Sequence, residues 1–305
     1  MVARGSGSQA PALPFSDDPA TPAPSRSVPR GDPAKARQRT LPTPPVLDRH
    51  GPARVIALCN HKGGVGKTTS TINLGAALAE FGRKVLLVDL DPQGALSVGL
   101  GVAPDEMDRT IYHALMEPGV RIADVLVKTN VDGLDLIPSS QSLSAAEFQL
   151  VNEVGREQVL KLALKPVRDE YDFILIDCQP SLGLLTMNAL TAAQGVIVPV
   201  ECEYFSLRGL AMVVDTIDKI IDRVNPDLSI TGILATMYDP RTLHSKDVFA
   251  RLVQNFGDTV FQTAITRTVR FPETTVAGVP ITAWAPLSQG ANAYRNLAKE
   301  VVAAG

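Results

Sequence analysis

Residues 61 to 69 read His61-Lys62-Gly63-Gly64-Val65-Gly66-Lys67-Thr68-Thr69, which sets three glycines beside two lysines and two threonines. Those residue types together suit phosphate binding. Glycines let successive backbone N–H groups turn toward one point with no Cβ in the way, which makes an anion nest. A nest that opens a helix also gains the partial positive charge of the helix N-terminus. The backbone from Lys62 through Gly63, Gly64, Val65, Gly66, Lys67 and Thr68 to Thr69 is then the cradle. Within it, Lys67 reaches β- and γ-phosphate oxygens, the Thr68 hydroxyl ligates Mg²⁺, and Thr69 donates a further hydrogen bond. The match to the P-loop pattern departs at its start, where His61 takes the place of the first glycine and Lys62 stands just inside. A purely structural glycine turn is the alternative. A dinucleotide fingerprint is excluded, because Thr69 stands where a third glycine is needed after Gly64 and Gly66.

Carboxylates at two further places complete such a site. In Asp89-Leu90-Asp91-Pro92-Gln93-Gly94, strand alternation puts Asp89 and Asp91 on one side, and Pro92 and Gly94 end the strand. Asp91 is the candidate for orienting or activating an attacking water; Asp89 organises Mg²⁺ or the loop. A pair of turn-forming acids is the plainer alternative. Asp177 closes the apolar run Phe173-Ile174-Leu175-Ile176, which gives a rigid carboxylate suited to holding Mg²⁺, often through water.

The elements that must position these groups follow from the hydrophobic pattern. Strand-like runs cover 54–60, 84–90, 134–138, 173–178, 196–200, 229–237 and 260–263. Helical stretches cover 68–81 (ending at Gly82, a good residue for a helix C-terminus), 144–165 (broken near Gly155), 207–224, 246–256 and 291–302. Uninterrupted apolar strands separated by helices predict a doubly wound α/β fold: a mostly parallel sheet with helices on both faces, as in P-loop nucleotide hydrolases. Its carboxyl edge is where ligands bind. Residues 54–305 are expected to form one domain.

Residues 1–53 hold 11 of the chain's 23 prolines and little apolar periodicity, so they are expected to form a disordered tail. From Arg26 to Arg39 that tail is basic, carrying Arg26, Arg30, Lys35, Arg37 and Arg39 against Asp32. It reads as a solvated segment or as an arm for DNA or a partner. The 305-residue chain has a net charge of −3, which excludes a polycation that coats nucleic acid, so DNA contact needs a local patch. Three scattered cysteines without CxxC spacing argue against disulfides, zinc and iron–sulfur ligation. No apolar run reaches the roughly 18–20 residues that span a bilayer, and no secretory signal stands at the N-terminus. A cytoplasmic protein is expected.

Lys62-Gly63-Gly64-Val65-Gly66-Lys67-Thr68-Thr69, Asp89-Leu90-Asp91-Pro92-Gln93-Gly94 and Ile174-Leu175-Ile176-Asp177 resemble the deviant Walker A, switch and Walker B motifs of ParA/MinD ATPases. Pro180 to Thr186, Pro199 to Tyr204 and Leu297 to Val301 are most similar to the chromosomal ParA (Soj) branch. The resemblance implies an ATPase cycle with Mg²⁺. ATP brings two subunits face to face as a homodimer, and Lys62 reaches the partner's nucleotide. The dimer binds DNA without sequence preference, and a ParB-like partner stimulates hydrolysis. The protein would then associate with the nucleoid and act in chromosome or plasmid partitioning.

Several positions depart from the family's pattern. Ala95 replaces Asn, Gln179 replaces Pro, and Ile265-Thr266-Arg267-Thr268 loses the Pro-Arg-Asn start. The helix that presents arginines in the family carries Asp215, Asp218, Lys219, Asp222 and Arg223, which leaves Arg241, Arg267 and Arg270 as candidates for DNA contact. The alternatives are a ParA-like ATPase that positions another cargo or regulates replication, a MinD-like membrane-positioning ATPase, and an iron–sulfur carrier. The last two are disfavoured, by a C-terminus with one basic residue after Asn296 and by the scattered cysteines.

Overall fold

The computed structural model describes residues 32–37, 40–204 and 206–304. Its strands are β1 (Arg54–Leu58), β2 (Val85–Leu90), β3 (Val127–Lys128), β4 (Leu134–Ile137), β5 (Phe173–Cys178), β6 (Gly195–Glu201), β7 (Ser229–Tyr238) and β8 (Val260–Thr266). Its helices are α1 (Pro33–Arg37), α2 (Lys67–Glu80), α3 (Ala95–Gly99), α4 (Ile111–Met116), α5 (Leu143–Leu150), α6 (Val159–Leu164), α7 (Leu184–Ala192), α8 (Ser206–Arg223), α9 (Leu243–Phe256), α10 (Arg270–Ala277), α11 (Ile281–Trp284) and α12 (Gln289–Ala303).

The strands form one sheet in the order β3-β4-β2-β5-β1-β6-β7-β8. Every pairing is parallel except β3 with β4. The uninterrupted apolar runs explain this arrangement, since every residue of β2 and β5 is buried and both faces need cover. Alternation sends Val55 and Ala57 into a core under α4 to α9, and Ile56 and Leu58 into a second core under α2, α3, α11 and α12. In the second core Leu74, Leu78 and Leu297 are completely buried, which contributes about 1.5–3 kcal/mol for each side chain. Helix α2 ends as Gly82 predicts. Gly82 has φ +71°, its N–H donates to the Ala79 carbonyl, and the Arg83 N–H returns to the Leu78 carbonyl.

The expectation of a helix over 144–165 with a break near Gly155 resolves into α5 and α6, with Gly155 at φ +70° between them. The tail differs in its second half, because residues 32–37 and 40–53 form a strap on the domain. Asp32 accepts hydrogen bonds from the Ala34 N–H (3.1 Å) and the Tyr238 hydroxyl (2.5 Å), and Ala34 is buried. Arg37 donates to the Gly257 carbonyl, Arg83 to that of Pro45, and Asp172 accepts from Gly51 N–H and pairs with His50 at 2.7 Å. Partners 38 to 220 residues distant make these anchors, which no local composition reveals. Residues 1–31, 38 and 39, with the rest of the disordered-tail expectation and Arg26, Arg30 and Arg39, lie outside the described residues.

Candidate active site

The glycine loop leaves the end of β1 and is pinned on both sides. Asn60, nearly buried, donates to the Pro199 carbonyl of β6 (2.7 Å) and accepts from the Lys62 N–H (3.0 Å). Thr236, at the end of β7, donates to the Val65 carbonyl at 2.9 Å. Gly64 and Gly66 adopt φ +73° and +85°, a region that costs other L-residues roughly 1–2 kcal/mol. A Cβ on Gly66 would meet only the Thr236 side chain, at 3.7 Å, so the backbone rather than space demands glycine there. Gly66 also caps α2 and offers no side chain to its first turn. The first N–H groups of α2 are therefore left for an anion.

Lys67 opens α2 and is 6 % exposed, with its ammonium donating to the Lys62 carbonyl at 3.1 Å. Burial pushes its pKa down, and the negative field of Asp177 and Asp91 opposes that shift. The Thr68 hydroxyl donates to Asp177 at 2.6 Å, and Thr71 reaches the other carboxylate oxygen at 3.3 Å. In the sheet Asp177 lies in register with Leu58 of β1 and with Asp89 of β2. Complete burial pushes Asp177 up to about 8; the Asp89 charge adds to this, and Thr68 and Lys67 oppose it.

Asp89 is raised to about 6, again by burial first. Its carboxylate accepts from the Ser97 N–H (2.9 Å), the Ser97 hydroxyl (2.7 Å) and the Asp91 N–H (3.3 Å). These bonds tie Asp89 to Ser97 of α3 and to the segment that follows β2. Asp91 stands just past β2, 9 % exposed, and accepts from the Gln93 N–H at 3.0 Å. The loop, a desolvated ammonium and the Thr68–Asp177 pair thus meet at the carboxyl ends of β1, β2 and β5. A hydroxyl and a carboxylate in contact are a donor set for a hard divalent ion. Among the described residues no cluster of three His, Cys, Asp or Glu side chains could hold a metal alone.

Lys62 is turned to β6, where its ammonium lies 2.9 Å from Glu201 and 3.7 Å from Glu203. The Glu201 hydrogen bond raises its pKa. Arg267 faces the other oxygen of Glu201 at 3.4 Å. Arg241 grips Asp239 through two 2.9 Å contacts, which push that carboxyl down to about 2, and the charge of Arg267 reaches Asp239 as well. Arg241 and Arg267 therefore share one corner. Arg270 starts α10, exposed and with no ion pair among the described residues, and no contact joins it to the other two. The outer face of α8 is acidic: Asp215, Asp218 and Asp222 are exposed or half-exposed, Lys219 is tied to Asp215 at 2.6 Å, and burial raises Asp218 with its acidic neighbours adding to the shift. Gln179 donates to Glu147 at 2.9 Å. The three cysteines are buried thiols, with Cys59 and Cys202 pushed up to about 12 by burial. Asn60, Ser97, Glu201 and Thr236 were not singled out from the sequence. Asn60 adjoins the loop and was within reach of such a reading; the other three act across 8 to 171 residues.

The sequence profile of the family described as "AAA domain" matches residues 53–230. An uncharacterised Mycobacterium tuberculosis protein, Rv1708, is 66% identical over 87% of this chain and 83% of its own length. The Bacillus subtilis sporulation initiation inhibitor protein Soj is 46% identical over 83% of this chain and 99% of its own. The Treponema pallidum chromosome-partitioning ATPase Soj is 48% identical over 82% and 97%. Among solved structures, a Mycobacterium smegmatis protein described as cobyrinic acid a,c-diamide synthase, with bound ATP analogue and magnesium, is 42% identical over 81% of this chain and 93% of its own, with a TM-score of 0.72.

Proposed function

The chain belongs to the ParA/MinD family of P-loop ATPases, in its Soj branch, and from that premise we propose that it hydrolyses ATP with Mg²⁺, dimerises with ATP and binds DNA nonspecifically in chromosome or plasmid partitioning. The observation that carries the nucleotide half is the uncapped start of α2 beneath two left-handed glycines, with the desolvated Lys67 beside it. In this reading the N–H groups of the loop and the Lys67 ammonium bind the β- and γ-phosphates. Thr68 ligates Mg²⁺, Asp177 holds it from the strand end, and the ion supplies charge neutralisation at the phosphates. Asp91 orients the attacking water, and Asp89 holds Ser97 so that Asp91 stays in place. Lys62 crosses to the nucleotide of a second copy, where two facing triphosphates need added cations.

The DNA half rests on charge: pairing two subunits doubles the corner of Arg241 and Arg267, with Arg270 as a further contact, and nonspecific affinity climbs with each phosphate neutralised. A ParB-like partner stimulates hydrolysis in this reading, and the protein resides on the nucleoid in the cytoplasm. Among the described residues no helix is long and apolar enough to cross a membrane. The acidic face of α8 favours a second reading, in which the same ATPase positions another cargo. Co-sedimentation with DNA under ATP, ADP and no nucleotide, at two salt concentrations, separates the two. ATP-dependent, salt-sensitive binding supports partitioning on DNA; no binding in any state leaves the ATPase to another cargo.

A further inference from the structure

Three charged side chains from three separate parts of the chain meet at the glycine loop: Lys62 at its start, Glu201 ending β6, and Arg267 just past β8. Glu201 holds Lys62 on one carboxylate oxygen at 2.9 Å and faces Arg267 on the other at 3.4 Å. The Glu201 side chain is 12 % exposed, against 39 % for Lys62 and 67 % for Arg267. The acid is thus the fixed, nearly buried member and the cations are the freer ends. Glu203, at 3.7 Å and half exposed, is a weaker second acceptor.

We propose that Glu201 is a positioning residue that clamps Lys62 to its own subunit, and that Arg267 is the competing cation that allows its release. The inference rests on the reading of Lys62 as the lysine that crosses to a second copy's nucleotide. A lysine paired with Glu201 cannot also sit on a phosphate, so the crossing must break the 2.9 Å contact. Breaking it would strand a nearly buried carboxylate, an expensive state unless another cation covers it. Arg267 already stands on the second oxygen and needs to close only from 3.4 Å to an ordinary charge-assisted distance. Two arrangements of the cluster are therefore both charge-paired: Lys62 on Glu201, or Arg267 on Glu201 with Lys62 free.

Changes at the acid and at the arginine then have opposite signs. Glu201→Gln loosens the clamp, so dimerisation occurs at lower ATP. Arg267→Ala leaves Lys62 as the principal cover for Glu201, so dimerisation needs more ATP. In the double variant the clamp is gone and the loss of Arg267 ceases to matter. A partly exposed pair of this kind shifts the half-dimerisation concentration by roughly five-fold in each direction.

The test is sedimentation velocity of the full chain, without DNA, across a titration of a hydrolysis-resistant ATP analogue with Mg²⁺. Wild type, Glu201→Gln, Arg267→Ala, the double variant and Lys62→Ala are compared, with circular dichroism as the control for folding. Glu201→Asp, which keeps the charge, is expected to lie nearer to wild type than Glu201→Gln. A lower midpoint for Glu201→Gln, a higher one for Arg267→Ala and a double variant matching Glu201→Gln support the clamp. Equal or same-direction shifts overturn it. If Lys62→Ala dimerises normally, the crossing role itself fails and the clamp fails with it; if Lys62→Ala is impaired but Glu201→Gln is unchanged, only the clamp fails.

Discussion

Replacing Asp177 by Asn is expected to make the nucleotide-free protein more stable while it raises the Mg²⁺ that hydrolysis needs. Asp177 is completely buried, and its pKa is raised from 3.8 to about 8, chiefly by loss of water. Keeping its proton in the folded protein at pH 7, where the unfolded carboxyl has lost its own, therefore costs up to about 4 kcal/mol, at about 1.4 kcal/mol for each pH unit. Asparagine has the same shape: its carbonyl accepts from Thr68, and its amide faces Thr71, whose hydroxyl oxygen is still able to accept while donating to the Lys67 carbonyl. The pH window follows from the raised value. Between about pH 4 and pH 8 the folded protein keeps a proton that the unfolded chain has lost, so wild-type stability falls as pH rises. The advantage of the variant is thus small near pH 4 and grows steadily with pH, to a few kcal/mol, about 4 at most, at pH 7. Urea unfolding of metal-free, nucleotide-free protein across that range reads the difference directly. The same variant should need roughly 10–100-fold more Mg²⁺ for hydrolysis. A variant less stable than wild type at pH 7, or an advantage that does not change with pH, would show that Asp177 is not held protonated by its burial.

Other substitutions separate the remaining roles. Lys67→Ala keeps the shape of the loop and removes its buried cation; ATP affinity measured by calorimetry should fall by at least about 100-fold, and retained tight binding would remove Lys67 from the phosphates. Asp91→Ala should bind ATP and accumulate as the ATP-bound dimer in sedimentation, with hydrolysis slowed about 10²-fold or more; normal turnover would remove Asp91 from the handling of water. Arg241→Ala and Arg270→Ala should each weaken DNA binding by the ATP state at every sequence and lower the slope of log affinity against log salt by about one, whereas an unchanged slope assigns that arginine to the solvated surface.

What the sequence revealed and what it hid divide along chain distance. The glycine loop with α2, the strand ends carrying Asp89 and Asp177, and the parallel sheet were legible because each is written in a short run of residues. A glycine at φ +71° ends α2, and six successive buried positions make β5. Hidden were the partners that fix these groups. Ser97 takes the carboxylate of Asp89, Thr236 holds the Val65 carbonyl from 171 residues away, and Glu201 engages Lys62 across 139. None carries a local signal, because a hydroxyl near a strand end looks the same whether or not it meets a loop. The two-residue strand β3 is too short for alternation to show. Residues 32–53 misled for the opposite reason: proline-rich composition speaks for disorder, while Asp32, Ala34 and Pro45 are held by contacts that composition does not record.

If residues 61–69 seat a triphosphate with its metal, a crystal structure with a hydrolysis-resistant ATP analogue and Mg²⁺ will show it. Phosphate oxygens on the N–H groups at the start of α2, the Lys67 ammonium moved onto them, and the ion between Thr68 and Asp177 are the expected result. Nucleotide bound elsewhere, with Lys67 still on the Lys62 carbonyl and Thr68 still on Asp177, would contradict it.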